Sequence, residues 1–172
     1  MVADPTSIAI ADARRKGGGV MADYSANALQ TLQPGEDLTF ITTEPCMRGF
    51  VRHRDGTGSF LSSGWSPYGR CGCRRRNPIY SVDFGANIAV PEGQTVGEIS
   101  MAYVVDGSIV PSTEMIVTPA AVEEFFNISR AIDIEVWNGC CETFGIRNTS
   151  TIPIEIQNGS LKIDRADLVV TR

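Results

Sequence analysis

The sequence predicts an all-β fold, a sandwich or jelly roll, on three observations. From residue 27 onward, short runs rich in β-branched and aromatic residues recur at the spacing of about eight to twelve residues that marks two-sheet β domains. Turn dipeptides fall between the runs: Pro34-Gly35, Asp55-Gly56, Asp106-Gly107, Asn138-Gly139 and Asn158-Gly159. The chain has 172 residues, which suits one domain burying roughly 70% of the surface its unfolded form exposes.

The expected strands are residues 37–43 (DLTFITT), 47–54 (MRGFVRHR), 59–62, 79–84 (IYSVDF), 87–90, 96–105 (VGEISMAYVV), 109–117, 128–136 (ISRAIDIEV), 143–148 and 152–157. Residues 120–127 (AAVEEFFN) have helical composition, but Pro119 precedes them and the alternation of Ile128, Arg130, Ile132, Ile134 and Val136 follows. They are expected to form a short helical turn feeding a strand. Gly85, Gly93 and Gly97 fit neither phosphate-loop spacing and are expected at turns or bulges. Residues 62–77 (SSGWSPYGRCGCRRRN) lack periodicity and read as a long loop, a class often functional.

Two parts are expected: residues 1–21 as an N-terminal arm and residues 22–172 as the β domain. In the arm, residues 7–16 can form a short helix capped by Thr6 or Ser7, and Gly17-Gly18-Gly19 end it as a flexible joint. So short a helix is marginal alone in water. The arm is read either as a segment that orders on a partner or neighbouring subunit, or as a disordered tail.

The net charge of −5 is unevenly placed. Residues 1–46 sum to −3, residues 47–76 to +6 through seven arginines against Asp55, and residues 77–172 to −8. Arginine outnumbers lysine thirteen to two, favouring planar pairing with carboxylate or phosphate at an interface. No run approaches the roughly 20 apolar residues of a membrane-spanning helix. At the N-terminus the apolar patch precedes the basic residues, the reverse of a secretory signal. Synthesis and retention in cytosol are expected, with the five cysteines reduced.

Catalytic schemes find few components. The single histidine, His53, rules out histidine-rich metal sites and leaves little for a Ser-His-Asp triad. Cys46, His53, Cys71 and Cys73 can be combined on paper as a zinc tetrahedron, although C-x-C spacing is uncommon in such sites. Cys140 and Cys141 are read as neighbours on one strand, facing opposite ways. Pairing His53 with Cys46 or Cys71 for nucleophilic chemistry is disfavoured because Arg52 and Arg54 flank the ring and oppose its protonation. Glu123, Glu124, Asp133 and Glu135 are read as a solvated face, not a glycosidase pair. Neither metal nor cofactor is expected.

The arginine cluster is the most informative feature. Trp65, Tyr68, Arg74, Arg75 and Arg76 combine residue types enriched at interface hot spots. Two readings stay open: docking to an acidic partner, whether a subunit, a glycan or nucleic acid at a capsid edge, or pairing with this protein's own acidic surface between copies.

The strings YSANALQTLQPGEDLTF, GFVRHRDGTGSFLSSG, VDFGANIAVPEGQTVGEISMAYVVDG, MIVTPAAVEEFFN and GCCETFGIRNTSTIPIEIQNGSLKIDR lie within residues 24–166. Together they resemble a protein family encoded by gut bacteria of the Firmicutes type and by their phages and prophages. The resemblance implies a jelly roll like those of tumour necrosis factor and complement, a fold whose usual form is a trimer. It implies that IDIEVWNGCCETFGIRN supplies the strand, glycine turn and strand before the last hairpin. The first 20 residues and CGCRRR depart from the family pattern.

The resulting expectation is a non-enzymatic phage virion protein, assembled in the host cytoplasm: a homotrimeric capsid decoration (cement) protein or head fibre. Its arm is expected to bind the major capsid protein or another virion subunit through Ile8, Ile10, Arg14, Arg15 and Lys16. The loop carrying Trp65 and Arg74–Arg76 is left for weak contacts, host glycans among them. No membrane and no specific nucleic acid are expected as partners. The alternative is a receptor- or carbohydrate-binding module of a tail fibre or bacterial surface protein.

Overall fold

A computed structural model describes residues 21–44, 50–64, 77–137 and 141–166. Among the described residues, twelve strands form two antiparallel sheets. They are β1 (Met21–Ala26), β2 (Gln30–Leu32), β3 (Ile41–Glu44), β4 (Val51–His53), β5 (Phe60–Ser63), β6 (Ile79–Ala89), β7 (Ile99–Val105), β8 (Ser108–Ile109), β9 (Met115–Val117), β10 (Phe126–Glu135), β11 (Cys141–Asn148) and β12 (Ile154–Arg165). The first sheet runs β10-β6-β12-β1-β3, with β2 beside the start of β12. The second runs β4-β5-β11-β7-β8, with β9 beside the start of β7.

Alternation selects the core. In β1 and β12, Ala22, Tyr24, Ala26, Ile154, Ile156, Leu161 and Ile163 turn inward while Asp23, Ser25, Lys162 and Asp164 turn out. Aromatic rings fill the space between the sheets. Phe60 lies 4.6 Å from Tyr24, 5.4 Å from Phe40 and 5.3 Å from Phe144, centroid to centroid. Each such burial is worth about 1.5–3 kcal/mol against exposure.

Polar anchors join the layers. Tyr103, from β7, donates its hydroxyl to the carbonyls of Val82 and Arg130 in the opposite sheet. Burial, followed by the charge of Asp83, pushes its phenol well above the usual range. Asn148 is fully buried, yet its amide nitrogen donates to Leu32 O and Ile152 O and its oxygen accepts from Ser150 N. That satisfaction makes its burial tolerable.

Between β2 and β3 the chain leaves the first sheet and returns to it. Residues 35–38 pair with β11 through Gly35 N to Asn148 O, Asn148 N to Glu36 O and Leu38 N to Ile146 O. Phe40 then exchanges bonds with Thr57 and Gly56 before β3 rejoins β1. At this crossing Gly145 packs against the carbonyl of Gly58, and a Cβ on Gly145 would overlap that oxygen. A Cβ on Gly58 would lie 2.7 Å from both Asp37 Cβ and Leu38 O. Arg147 braces the crossing from outside, with Nε 2.6 Å and an Nη 3.2 Å from the two oxygens of Asp37.

Several expected boundaries change. Residues 79–84 and 87–90 are one strand, β6, because Gly85 and Ala86 continue the ladder. Asn158-Gly159 is not a turn but a bulge inside β12. Register passes there from Gln157↔Asn87 to Ser160↔Gly85, two residues opposing Ala86 alone. Asn158 adopts φ 53°, and a Cβ on Gly159 would approach Ala26 Cβ to 3.0 Å. Residues 109–117 divide around a 3-10 turn at Pro111–Thr113, since proline cannot supply a ladder donor. Thr113 restores a partner to β7 by accepting Tyr103 N on its hydroxyl. Residues 120–123 form a bend and turn without helix; the Glu124 carboxylate accepts Ala120 N and Ala121 N. β1 and β2 were not among the expected strands.

Gly145→Ala is expected to lower the unfolding free energy by about 2 kcal/mol or more through overpacking. Gly85→Ala, whose nearest neighbour would be 3.7 Å away, should change it by less than about 1 kcal/mol. Urea unfolding of both variants checks the contrast.

Candidate functional site

One end of the sandwich collects the attachment points of the N-terminal residues and of the arginine-rich segment. Met21 pairs with Asp164, Arg165 with Tyr80, Ile79 with Glu135, and Ser63 with Cys141. Tyr80 ties the two sheets there, donating its hydroxyl to Ser63 O at 2.7 Å with Phe50 O at 3.3 Å. Beneath it, Arg165 is only 3% exposed, its guanidinium 4.3 Å from the Phe50 ring centroid and 5.8 Å from that of Tyr80. Such stacking offsets part of the cost of burying a cation.

Residues 1–20, 45–49, 65–76, 138–140 and 167–172 all adjoin this platform in the chain. Ile8, Ile10, Arg14, Arg15, Lys16, Trp65, Tyr68, Arg74, Arg75 and Arg76 lie outside the described residues, as do Cys46, Cys71, Cys73 and Cys140. Asn77, following the arginine-rich segment, donates to Glu135 Oε1 at 2.9 Å, and Val136 N donates to Pro78 O.

Trp137 is the residue that sequence reasoning missed. It is 72% exposed on the same platform. Its signal was the alternation itself: Ile134 and Val136 face inward, so Glu135 and Trp137 must face out. Asp133 and Glu135 are exposed acceptors, for Ser81 and Asn77 respectively. Cys141 is exposed.

His53 is a core residue. Its side chain is 1% exposed, stacked 4.4 Å from Phe60 and set edge-on to Tyr24. Nε2 donates to Thr57 O at 3.0 Å, while Nδ1 lies 3.2 Å from Thr42 Oγ1 and 3.5 Å from Asp55 Oδ1. Arg52 and Arg54 on either side of it are exposed, and the Asp55 carboxylate lies beside the ring at Nδ1. Hydrogen bonds from the Thr42 hydroxyl and backbone hold Asp55 below its usual pKa. Among the described residues, no three His, Cys, Asp or Glu side chains are grouped to hold a metal, and no helix is long and apolar enough to cross a membrane.

The outward face of the first sheet is acidic. Lys162 stands in register between Asp23 and Asp83, and Asp133, Glu135 and Asp164 occupy the same face toward the platform. The hydrogen bond and charge of Asp164, 3.2 Å away, raise the Lys162 pKa, with smaller help from Asp23 and Asp83.

With this geometry in hand, comparison with solved structures identifies the architecture. The chain superposes on the globular domain of zebrafish complement 1qA protein with a TM-score of 0.57 at 10% identity, covering 85% of this chain and 96% of that one. It superposes on Eiger TNF from S. frugiperda with a TM-score of 0.58 at 8% identity, covering 86% and 92%. The fold is a jelly roll of the complement 1q and tumour-necrosis-factor type. No protein-family model matches the sequence, and no curated protein matches it.

Thr42→Val is expected to raise the Asp55 pKa toward its ordinary 3.8. The depressed wild-type value contributes stability above pH 3.8 that fades as pH falls through the lower folded pKa; the variant, which keeps the backbone bond at residue 42, lacks the part due to the hydroxyl. Carboxyl-detected NMR titration decides: identical Asp55 titrations in both proteins would contradict the assignment.

Proposed function

We propose that the chain is a non-enzymatic assembly module, a homotrimer serving as a capsid decoration protein or head fibre of a phage particle. The observation that carries the assembly reading is charge complementarity. The first sheet presents an acidic outward face, and residues 47–76 carry a local charge of +6. Copies of one chain thus possess both halves of an electrostatic contact, which steers association and selects register. The trimer follows the usual form of this fold. The phage setting draws on the sequence resemblance and on an N-terminal arm with a Gly-Gly-Gly joint. Three arms on a trimer bind a lattice with avidity, so Ile8, Ile10, Arg14, Arg15 and Lys16 need only weak individual contacts.

The exposed Trp137, on the end where the segment bearing Trp65 and Tyr68 begins and finishes, favours a second reading. In it the module binds a receptor or carbohydrate through that end, aromatic faces being suited to sugar rings.

A protein starting at Met21 is expected to stay a folded trimer by light scattering while losing capsid binding, and its trimer should weaken as salt rises. Undiminished capsid coating by the shortened protein would refute arm anchoring. Trp137→Ala should leave trimer and stability unchanged; loss of a glycan-array signal in that variant would instead support the second reading.

A further inference from the structure

At the end of the sandwich opposite the platform, residues 95–98 and 149–152 form the walls of a cleft of about 370 Å³ with Ser100 and Glu114. That volume falls within the range of small-ligand sites, about 300–1,000 Å³. Its lining is of two kinds. Val96, 38% exposed, and Ile152 provide aliphatic surface; Gly97 keeps this wall open, since a Cβ there would meet only Ile152 Cδ1, at 4.0 Å. Glu98 and Glu114 provide two carboxylates, and among the described residues the lining contains no basic side chain.

The two carboxylates differ in their surroundings. Glu114 Oε1 accepts the Thr149 hydroxyl at 3.2 Å, and the Ser100 hydroxyl lies 2.8 Å behind Thr149 Oγ1. With the Thr149 proton committed to Glu114, Ser100 donates to Thr149, so a chain of two hydroxyls points at the carboxylate. Glu98, exposed, has no side-chain hydrogen bond or ion pair among the described residues. The cleft thus joins two carboxylates to aliphatic walls, and the described residues that line it supply no cation.

We propose that this cleft binds an alkylammonium group, its nitrogen placed between Glu98 and Glu114 and its methylenes against Val96 and Ile152. A neutral polyol would leave both charges uncompensated. A bare divalent ion would make no use of the aliphatic wall. The alkylammonium can come from a free polyamine or from a lysine side chain of a partner.

The test is NMR titration of the full-length protein, following the amides of Gly97, Thr149 and Thr151, with 1,5-diaminopentane, Nα-acetyl-lysine methylamide, 1-pentanol and calcium chloride. Both amines should give saturable shifts, 1-pentanol none, and Glu98→Gln or Glu114→Gln should each weaken binding by at least about tenfold. Glutamine at 114 keeps an acceptor for Thr149, so the fold is retained in that variant. Thr151→Lys, which places an ammonium at the cleft from the chain itself, should abolish both titrations. Tighter binding of the diamine assigns the site to free polyamines; equal or tighter binding of the lysine derivative assigns it to a partner's lysine. Unchanged affinity in the glutamine variants, saturation by 1-pentanol, or calcium binding without amine binding would overturn the proposal.

Discussion

The sandwich depends on one close backbone crossing. Residues 35–38 extend the edge of the second sheet beyond β5, and within three residues the chain is back in the first sheet as β3. For both segments to share β11, the backbones around Gly58 and Gly145 must come closer than any side chain allows. Leu38 and Phe40 are drawn fully into the core on either side of this point. The Asp37–Arg147 pair lies partly in solvent and adds modestly, since exposed ion pairs are generally worth no more than about 1 kcal/mol. The two glycines set the geometry; the ion pair braces it.

From that closure follows a division of labour between the ends. Core anchors tie the sheets together at the platform end: Tyr80 spans them, and Arg165 is held under Phe50. The single histidine supports this scaffold. Its ring extends the aromatic layer, and both its nitrogens face polar partners within the fold.

The sequence was informative where period and punctuation agreed. Alternation in 128–136 fixed the faces of β10, and Asp106-Gly107 marked a hairpin whose two residues take φ 46° and 80°. It was ambiguous where one local signal serves two structures. Asn-Gly suits a turn and equally a bulge, and only the continuing partner strands β1 and β6 decide for the bulge at Asn158. MADYSA hides β1 because two of its three core-facing residues are alanine, and its burial comes from neighbours distant in sequence. At the candidate site, the alternation that turns Trp137 outward was present in the sequence but was not read as a signal, whereas the cleft at Glu98 and Glu114 brings together three separate stretches that no motif connects.

Native-state hydrogen exchange tests most directly whether the crossing holds the two sheets together. The account predicts that the amides of Leu38, Phe40 and Asn148 exchange only with global unfolding, at the same free energy as the central residues of β6 and β12. Exchange of those three through a low-energy local opening, with β6 and β12 still protected, would contradict it.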